Sequence, residues 1–279
     1  MTDKASPPDL RGRVLVVAGS DSGGGAGIQA DIKAITAMGG FAMTAVTAIT
    51  VQDTTAVHSV WPVPVEAVTG QIAVTLSDLG ADSIKTGMLG ERALVEAIAE
   101  TLDAGAQGIP RVIDPVMVSS RGDRLLPESA IDTIRALLVP QAELVTPNAW
   151  EAQILTGASV ETVDEQRRAA EQLLEAGARG ALVKGAHVAG DVIVDVLQTL
   201  DGEWLFEGPR IATRSTHGTG CTLASSTAAL IAQGRTVPDA VGAARDYLVE
   251  AISRSPGFGA GHGAVDHAWP LREAGNQGG

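Results

Sequence analysis

The stretch THGTGCTLASS, from Thr216, sets the only cysteine of the chain, Cys221, where a glycine-rich turn becomes a long apolar run. Gly218 and Gly220 flank Thr219 just ahead of a predicted helix. Glycines let the backbone approach a ligand closely, and a helix start adds free N–H groups and a positive dipole end. Such a turn is an anion cradle, able to meet charge that develops on an oxygen. The same field favours a thiolate, so Cys221 is expected to accept a proton near neutral pH. Three further groups of polar residues end predicted strands. Asp114 closes RVID, Asn148 and Glu151 follow ELVTP, and Lys184 ends GALVK. Carboxylates suit magnesium, which also touches phosphate oxygens, and a lysine neutralises phosphate charge. Together these types describe phosphoryl transfer, which needs positioning and charge more than covalent chemistry.

The elements that must carry them alternate. Apolar, β-branched runs at RVLVVAGS, MTAVTAITVQ, ADSIKTGML, PRVIDPVM, AELVTPN and GALVKGAH read as strands. Between them, GIQADIKAITAMGG, EAVTGQIAVTLSDLG, ERALVEAIAETLDAG, PESAIDTIRALLVP, NAWEAQILTG and VDEQRRAAEQLLEAG read as helices closed by glycine or proline. Regular alternation predicts an α/β fold, a mostly parallel sheet with helices on both faces. DVIVDVLQTLDGEWLFEGPR breaks the pattern as an edge hairpin turning at Asp201–Gly202. Two helices follow, from about Cys221 to Ala232 and from Val237 to Ile252. Residues 1–12 read as a loose lead, 13–270 as one domain and 271–279 as a frayed tail.

The chain has 279 residues, 45% hydrophobic, enough for a large core. Its formal charge of -13 offers no basic surface for DNA or RNA, while leaving room for a small anion at a helix start. One cysteine excludes an internal disulfide framework and suits a reducing, cytoplasmic setting. No apolar run reaches transmembrane length and no signal-peptide pattern opens the chain, so no membrane partner is expected.

AGSDSGGGAGIQAD, after the first strand, invites a second reading. Gly25, Gly27 and Ala30 fit the spacing G-x-G-x-x-A of a dinucleotide site. Ser20, Asp21, Ser22, Gln29 and Asp31 crowd the turn with polar groups that a pyrophosphate does not need. A dinucleotide oxidoreductase stands as an alternative of another class. No Walker A loop is present, since Lys85 lacks the preceding glycine.

In order along the chain, AGSDSGGGAGIQADIK, TAITVQD, KTGML, DPVM, GDRLL, TPNAWEA, VKGAH, STHGTGCTLASS and GFGAGHGAVDH resemble one family from about Val14 to His267. It is the hydroxymethylpyrimidine/phosphomethylpyrimidine kinases of thiamine biosynthesis, a branch of the ribokinase-like kinases. The resemblance implies a three-layer α/β/α fold, ATP and Mg2+ as cofactors, and a small pyrimidine alcohol and its monophosphate as substrates. It implies Asp31, Gln52, Gly19, Gly87 and Met88 as the pyrimidine pocket, and Gly218, Thr219 and Gly220 as the anion hole. Cys221 becomes the candidate base, Lys184 a phosphate ligand, Asn148 and Thr219 nucleotide contacts, and Glu151 and Asp114 the metal carboxylates. A homodimer is also implied, with the hairpin as its candidate edge. Pyridoxal kinase, which shares the fold and a hydroxymethyl-bearing ring, is the nearest alternative, and a non-catalytic pyrimidine-binding regulator is one of another class. The chain departs from the family at VSSRGD, where Ser120 and Arg121 stand in place of a lysine and its neighbour, and at Asp53, where asparagine is commoner.

Overall fold

The computed structural model describes residues 12–117 and 126–276. The departure at Ser119–Arg121, most of the lead and the last residues of the tail lie outside them. In chain order the first elements are β1 (Arg13–Asp21), α1 (Gly27–Ala37), β2 (Phe41–Gln52), β3 (Val57–Pro62), α2 (Val65–Asp78), β4 (Ser83–Thr86), α3 (Arg92–Gly105) and β5 (Arg111–Ile113). Then come α4 (Glu128–Thr133), which runs on through tighter and wider turns to Gln141, β6 (Leu144–Val145), α5 (Ala149–Thr156), α6 (Val163–Glu175) and β7 (Gly180–Val183). The chain ends with β8 (Val192–Thr199), β9 (Gly202–Pro209), α7 (Thr219–Ala232), α8 (Val237–Ser253) and α9 (Trp269–Asn276).

The strands form one nine-stranded sheet in the order β3-β2-β1-β4-β5-β6-β7-β8-β9. The six from β2 to β7 in that order are parallel, and β3, β8 and β9 are joined at the two edges by antiparallel pairing. In β1, Leu15 and Val17 join one apolar cluster while Val14, Val16 and Ala18 join the other. A strand buried on both faces is what two helical layers demand, and each buried Val or Leu contributes about 1.5–3 kcal/mol. Helices α1, α7 and α8 pack together on one face, and α2, α3, α5 and α6 cover the other.

Local signals explain the elements that hold the polar residues. Asn148 caps α5 in a reciprocal box, its side chain accepting from Glu151 N at 3.0 Å while Glu151 accepts from Asn148 N at 2.9 Å. Gly218 caps α7 with φ +77°, where a Cβ would collide with the carbonyl of Gly25. The left-handed turn therefore seats the start of α7 against the β1–α1 loop. Every residue of α7 from Thr222 to Leu230 is buried, because the helix lies between the sheet, α1 and α8.

Two elements go beyond the sequence reading. β3 pairs antiparallel with β2, although its side chains are almost all exposed and show no inward periodicity. Helix α9 carries residues 269–276, part of which reads as a frayed tail from sequence. The hairpin of β8 and β9 forms as expected, with Thr199 paired to Gly202 across its turn.

Candidate active site

A cleft of about 520 Å³ opens where the parallel strands end. Ser20 and Asp21 come from β1, Gln52 from β2, Gly87 and Met88 from the loop after β4, Asp114 from just past β5, Asn148 from the turn between β6 and α5, and Lys184 from just past β7. Open α/β sheets keep their ligands at such carboxyl ends. The first turn of α7 closes the cleft with Gly218, Thr219, Gly220 and Cys221. The amides of a helix's first turn have no intrahelical partner, and here Thr219 N donates to Thr216 O at 3.4 Å.

Lys184 and Asp114 form the centre. Lys184 Nζ donates to Asp114 Oδ1 at 3.3 Å, and Thr146 Oγ1 donates to the same oxygen at 3.1 Å. Burial alone would lower the Lys184 pKa, but Asp114 and Glu151 raise it above the ordinary lysine value, so the ammonium stays charged. A Cβ on Gly220 would lie 3.3 Å from Lys184 Nζ, so glycine leaves the helix start open to that cation. Burial, reinforced by Asp114 and opposed by Lys184, lifts Glu151 to about 7.

The thiol departs from expectation. Burial pushes Cys221 up to about 12, and Asp31 and Asp114 add to this against the pull of Lys85. The dipole of α7 is outweighed by lost hydration and two nearby carboxylates, so the thiol rests neutral rather than as a thiolate.

Asp31 is also corrected. It is fully buried behind the cleft and is not part of its lining. Its Oδ1 accepts from Lys85 Nζ at 2.8 Å and Ser225 Oγ at 2.7 Å, tying α1 to β4 and α7. The carboxylate that does line this end is Asp21, which sequence reasoning passed over. Asp21 accepts from the amides of Gly23 (2.8 Å), Gly25 (3.0 Å) and Ala26 (2.8 Å), and from His217 Nε2 at 2.9 Å. Although burial raises its pKa, His217 and these amides hold it below the ordinary aspartate value. The glycine-turn amides that a dinucleotide would need are thus already filled by a side chain of the protein.

Gln52, Gly19, Gly87 and Met88 do line the cleft. A Cβ at Gly19 would sit 2.6 Å from Met88 Cε, so the methionine packs flat over the glycine. Asp53 turns away: it accepts from Thr55 N (2.6 Å), Ala56 N (2.9 Å) and His58 Nε2 (2.8 Å) to close the β2–β3 turn. At the opposite end Ile193 and Pro209 of the hairpin, with Ile211 just after it, and Leu248, Val249 and Ile252 of α8 line an apolar slot. Their alternate spacing in a hairpin and a helix carries no local chemical signal, so the slot was not foreseen. Beside it Trp150 stacks on His187 with centroids 4.1 Å apart.

The residues fit a hard divalent cation. Asp114 Oδ2 is buried without a hydrogen-bond partner and offers a free anionic oxygen. Both oxygens of Glu151 already accept backbone amides, from Met117 at 3.4 Å and Asn148 at 2.9 Å, which suits a more distant, water-bridged role. Among the described residues no three His, Cys, Asp or Glu side chains gather as a metal cage.

A mostly parallel sheet between helical layers, with its strand ends facing a half-buried helix start over a lysine and a carboxylate, is the ribokinase-like class. A family model described as phosphomethylpyrimidine kinase matches residues 21–266. The chain belongs to the phosphomethylpyrimidine kinase family. It is 48% identical over 268 residues to a hydroxymethylpyrimidine/phosphomethylpyrimidine kinase of Streptomyces coelicolor, covering 96% of this chain and 98% of the relative. The crystal structure of an ADP complex of Bacillus subtilis pyridoxal kinase superimposes with a TM-score of 0.87 at 34% identity, covering 94% of this chain and 99% of that one. A phosphomethylpyrimidine kinase from Clostridium difficile superimposes at 0.78, again at 34% identity, covering 86% and 99%. No helix among the described residues is long and apolar enough to cross a membrane.

Proposed function

We propose that the chain transfers the γ-phosphoryl group of ATP to the hydroxymethyl arm of 4-amino-5-hydroxymethyl-2-methylpyrimidine, and then phosphorylates the monophosphate to the diphosphate, in thiamine biosynthesis. The observation that carries this reading is the glycine-opened start of α7 facing Lys184 and Asp114. The relatives' names point the same way.

The adenine fills the apolar slot between the hairpin and α8, and the pyrimidine lies between Gln52, Gly19 and Met88. The amides of Gly220 and Cys221 meet the transferring group, and Lys184 neutralises its charge. Asn148 and Thr219 steady the nucleotide. Mg2+, held from Asp114 and through water from Glu151, would offset phosphate charge. Cys221 lies beside the attacking hydroxyl. Because its thiol starts neutral, it orients the hydroxyl through sulfur, and the hydroxyl proton passes late to an oxygen of the transferred phosphoryl group as the bond from that group to ADP breaks, as a loose transition state permits.

Separate assays of ATP-dependent phosphorylation test this with the pyrimidine alcohol and with its monophosphate. Both are expected to be consumed with equimolar ADP. The likeness to a pyridoxal kinase favours pyridoxal as the second reading. A kcat/KM dominated by pyridoxal would overturn the first.

A further inference from the structure

Gln52 is held at both ends of its amide. Its terminal nitrogen, as placed, lies 3.1 Å from His217 Nε2, and its oxygen lies 3.3 Å from Thr50 Oγ1. The nitrogen and oxygen of an amide are assigned by their partners, and here both partners can be counted. His217 Nε2 also faces Asp21 Oδ2 at 2.9 Å. Asp21 is ionised and already accepts three amides, so it can only accept, and the ring nitrogen must carry a hydrogen whatever the charge of the ring. An amide N–H aimed at that nitrogen would find no lone pair. At the other end, the single hydrogen of Thr50 goes to Ser20 O at 2.8 Å, the shorter of its two contacts. Thr50 therefore turns a lone pair to Gln52 and needs a donor there. With the amide oxygen toward His217 and the amide nitrogen toward Thr50, Thr50 gains its donor and the single Nε2 hydrogen of His217 is shared between Asp21 Oδ2 at 2.9 Å and the Gln52 oxygen. The backbone of Gln52 is fixed as well, since Ser22 Oγ accepts from its N at 2.9 Å and donates to its O at 2.8 Å.

We infer that His217, oriented by Asp21, and Thr50 pin the Gln52 amide with its oxygen toward His217 and its nitrogen toward Thr50, so that the cleft reads one order of acceptor and donor along the ring edge of its substrate. His217 and Thr50 are positioning residues acting through Gln52. This deepens the proposed function and rests on it for the identity of the ring. A freely rotating amide would accept either order. A pinned one rejects the reversed order, because a buried polar pair would be left unmatched. In the aminopyrimidine a ring nitrogen accepts beside an exocyclic amine that donates. The 4-oxo counterpart reverses that order with a ring N–H beside a carbonyl, at nearly the same size.

The test compares these two rings, 5-hydroxymethyl-2-methylpyrimidine bearing 4-amino or 4-oxo, by kcat/KM with ATP and by Kd in calorimetry without it. Wild type is expected to prefer the amino compound about 100-fold or more. His217→Phe and Thr50→Val each release one end of the amide, and the preference should fall about tenfold or more in either. Damage to the fold or to the phosphate end lowers both rings alike and leaves the ratio unchanged, and Thr50→Val carries the test where His217→Phe does not fold. A wild-type ratio near one, or a ratio that survives both substitutions, overturns the inference while leaving the kinase reading intact. Selective binding without phosphorylation overturns the kinase reading and supports the pinned amide. Failure to bind either ring overturns both.

Discussion

Cys221 shows how far one side chain's chemistry depends on what surrounds it. Glycine spacing and a helix start both argue for a reactive thiolate, and both features are present. Yet burial and the carboxylates of Asp31 and Asp114 hold the thiol up at about 12. An acid with a raised pKa stays protonated until the pH approaches that value, so at pH 8 almost none of this thiol is ionised. Since it is the only cysteine, alkylation reports on it alone. The rate of iodoacetamide modification in the ligand-free protein should climb steadily from pH 7 to pH 10. A plateau near pH 8 would show a thiolate and contradict this account. Residue types and strand ends in the sequence pointed to Lys184, Asp114, Asn148, Glu151 and the α7 turn, because each sits where a motif meets a strand terminus. The sequence could not distinguish Asp21 from Asp31. Both lie in one polar run, and only the helical phase of α1 decides that Asp31 points into the protein while Asp21, at the strand end, faces the cleft.

Among the elements, α1, β4 and α7 are joined by one buried ionic contact. Lys85 and Asp31 are both fully buried, and Ser225 completes the acceptor side. Burial would strip the Lys85 proton, but the carboxylates of Asp31 and Asp114 hold its pKa above the ordinary value. Removing one partner strands a buried charge, whereas removing both replaces the pair with packing. Asp31→Asn should therefore lower stability by about 3–5 kcal/mol in urea unfolding, and Asp31→Leu combined with Lys85→Met should recover most of it. A single substitution costing under about 1 kcal/mol would mean that the pair is not a structural link. Element order and type were legible because the parallel strands are continuous apolar runs separated by amphipathic helices, as α6 shows with Gln166, Ala169, Ala170 and Leu173 inward. β3 was not legible: it is an edge strand whose only constraint is its pairing with β2, and its side chains have no inner face to mark them.

For the whole molecule, the six strand ends and the start of α7 converge from segments spread between Ser20 and Cys221. No single motif would have assembled them. The ordered set did, through a resemblance that covers most of the chain, while the apolar slot between the hairpin and α8 is a product of packing alone. The net charge of -13 makes the local cation at Lys184 matter more, since the molecule as a whole repels ATP. The central claim is that the transferring phosphoryl group lies at the start of α7. A crystal structure with a non-hydrolysable ATP analogue and Mg2+ tests it directly. The account predicts the terminal phosphate within hydrogen-bond distance of the Gly220 and Cys221 amides and of Lys184 Nζ, with the adenine against Ile211 and Val249. A terminal phosphate resting on the β1–α1 turn, away from α7, would contradict it.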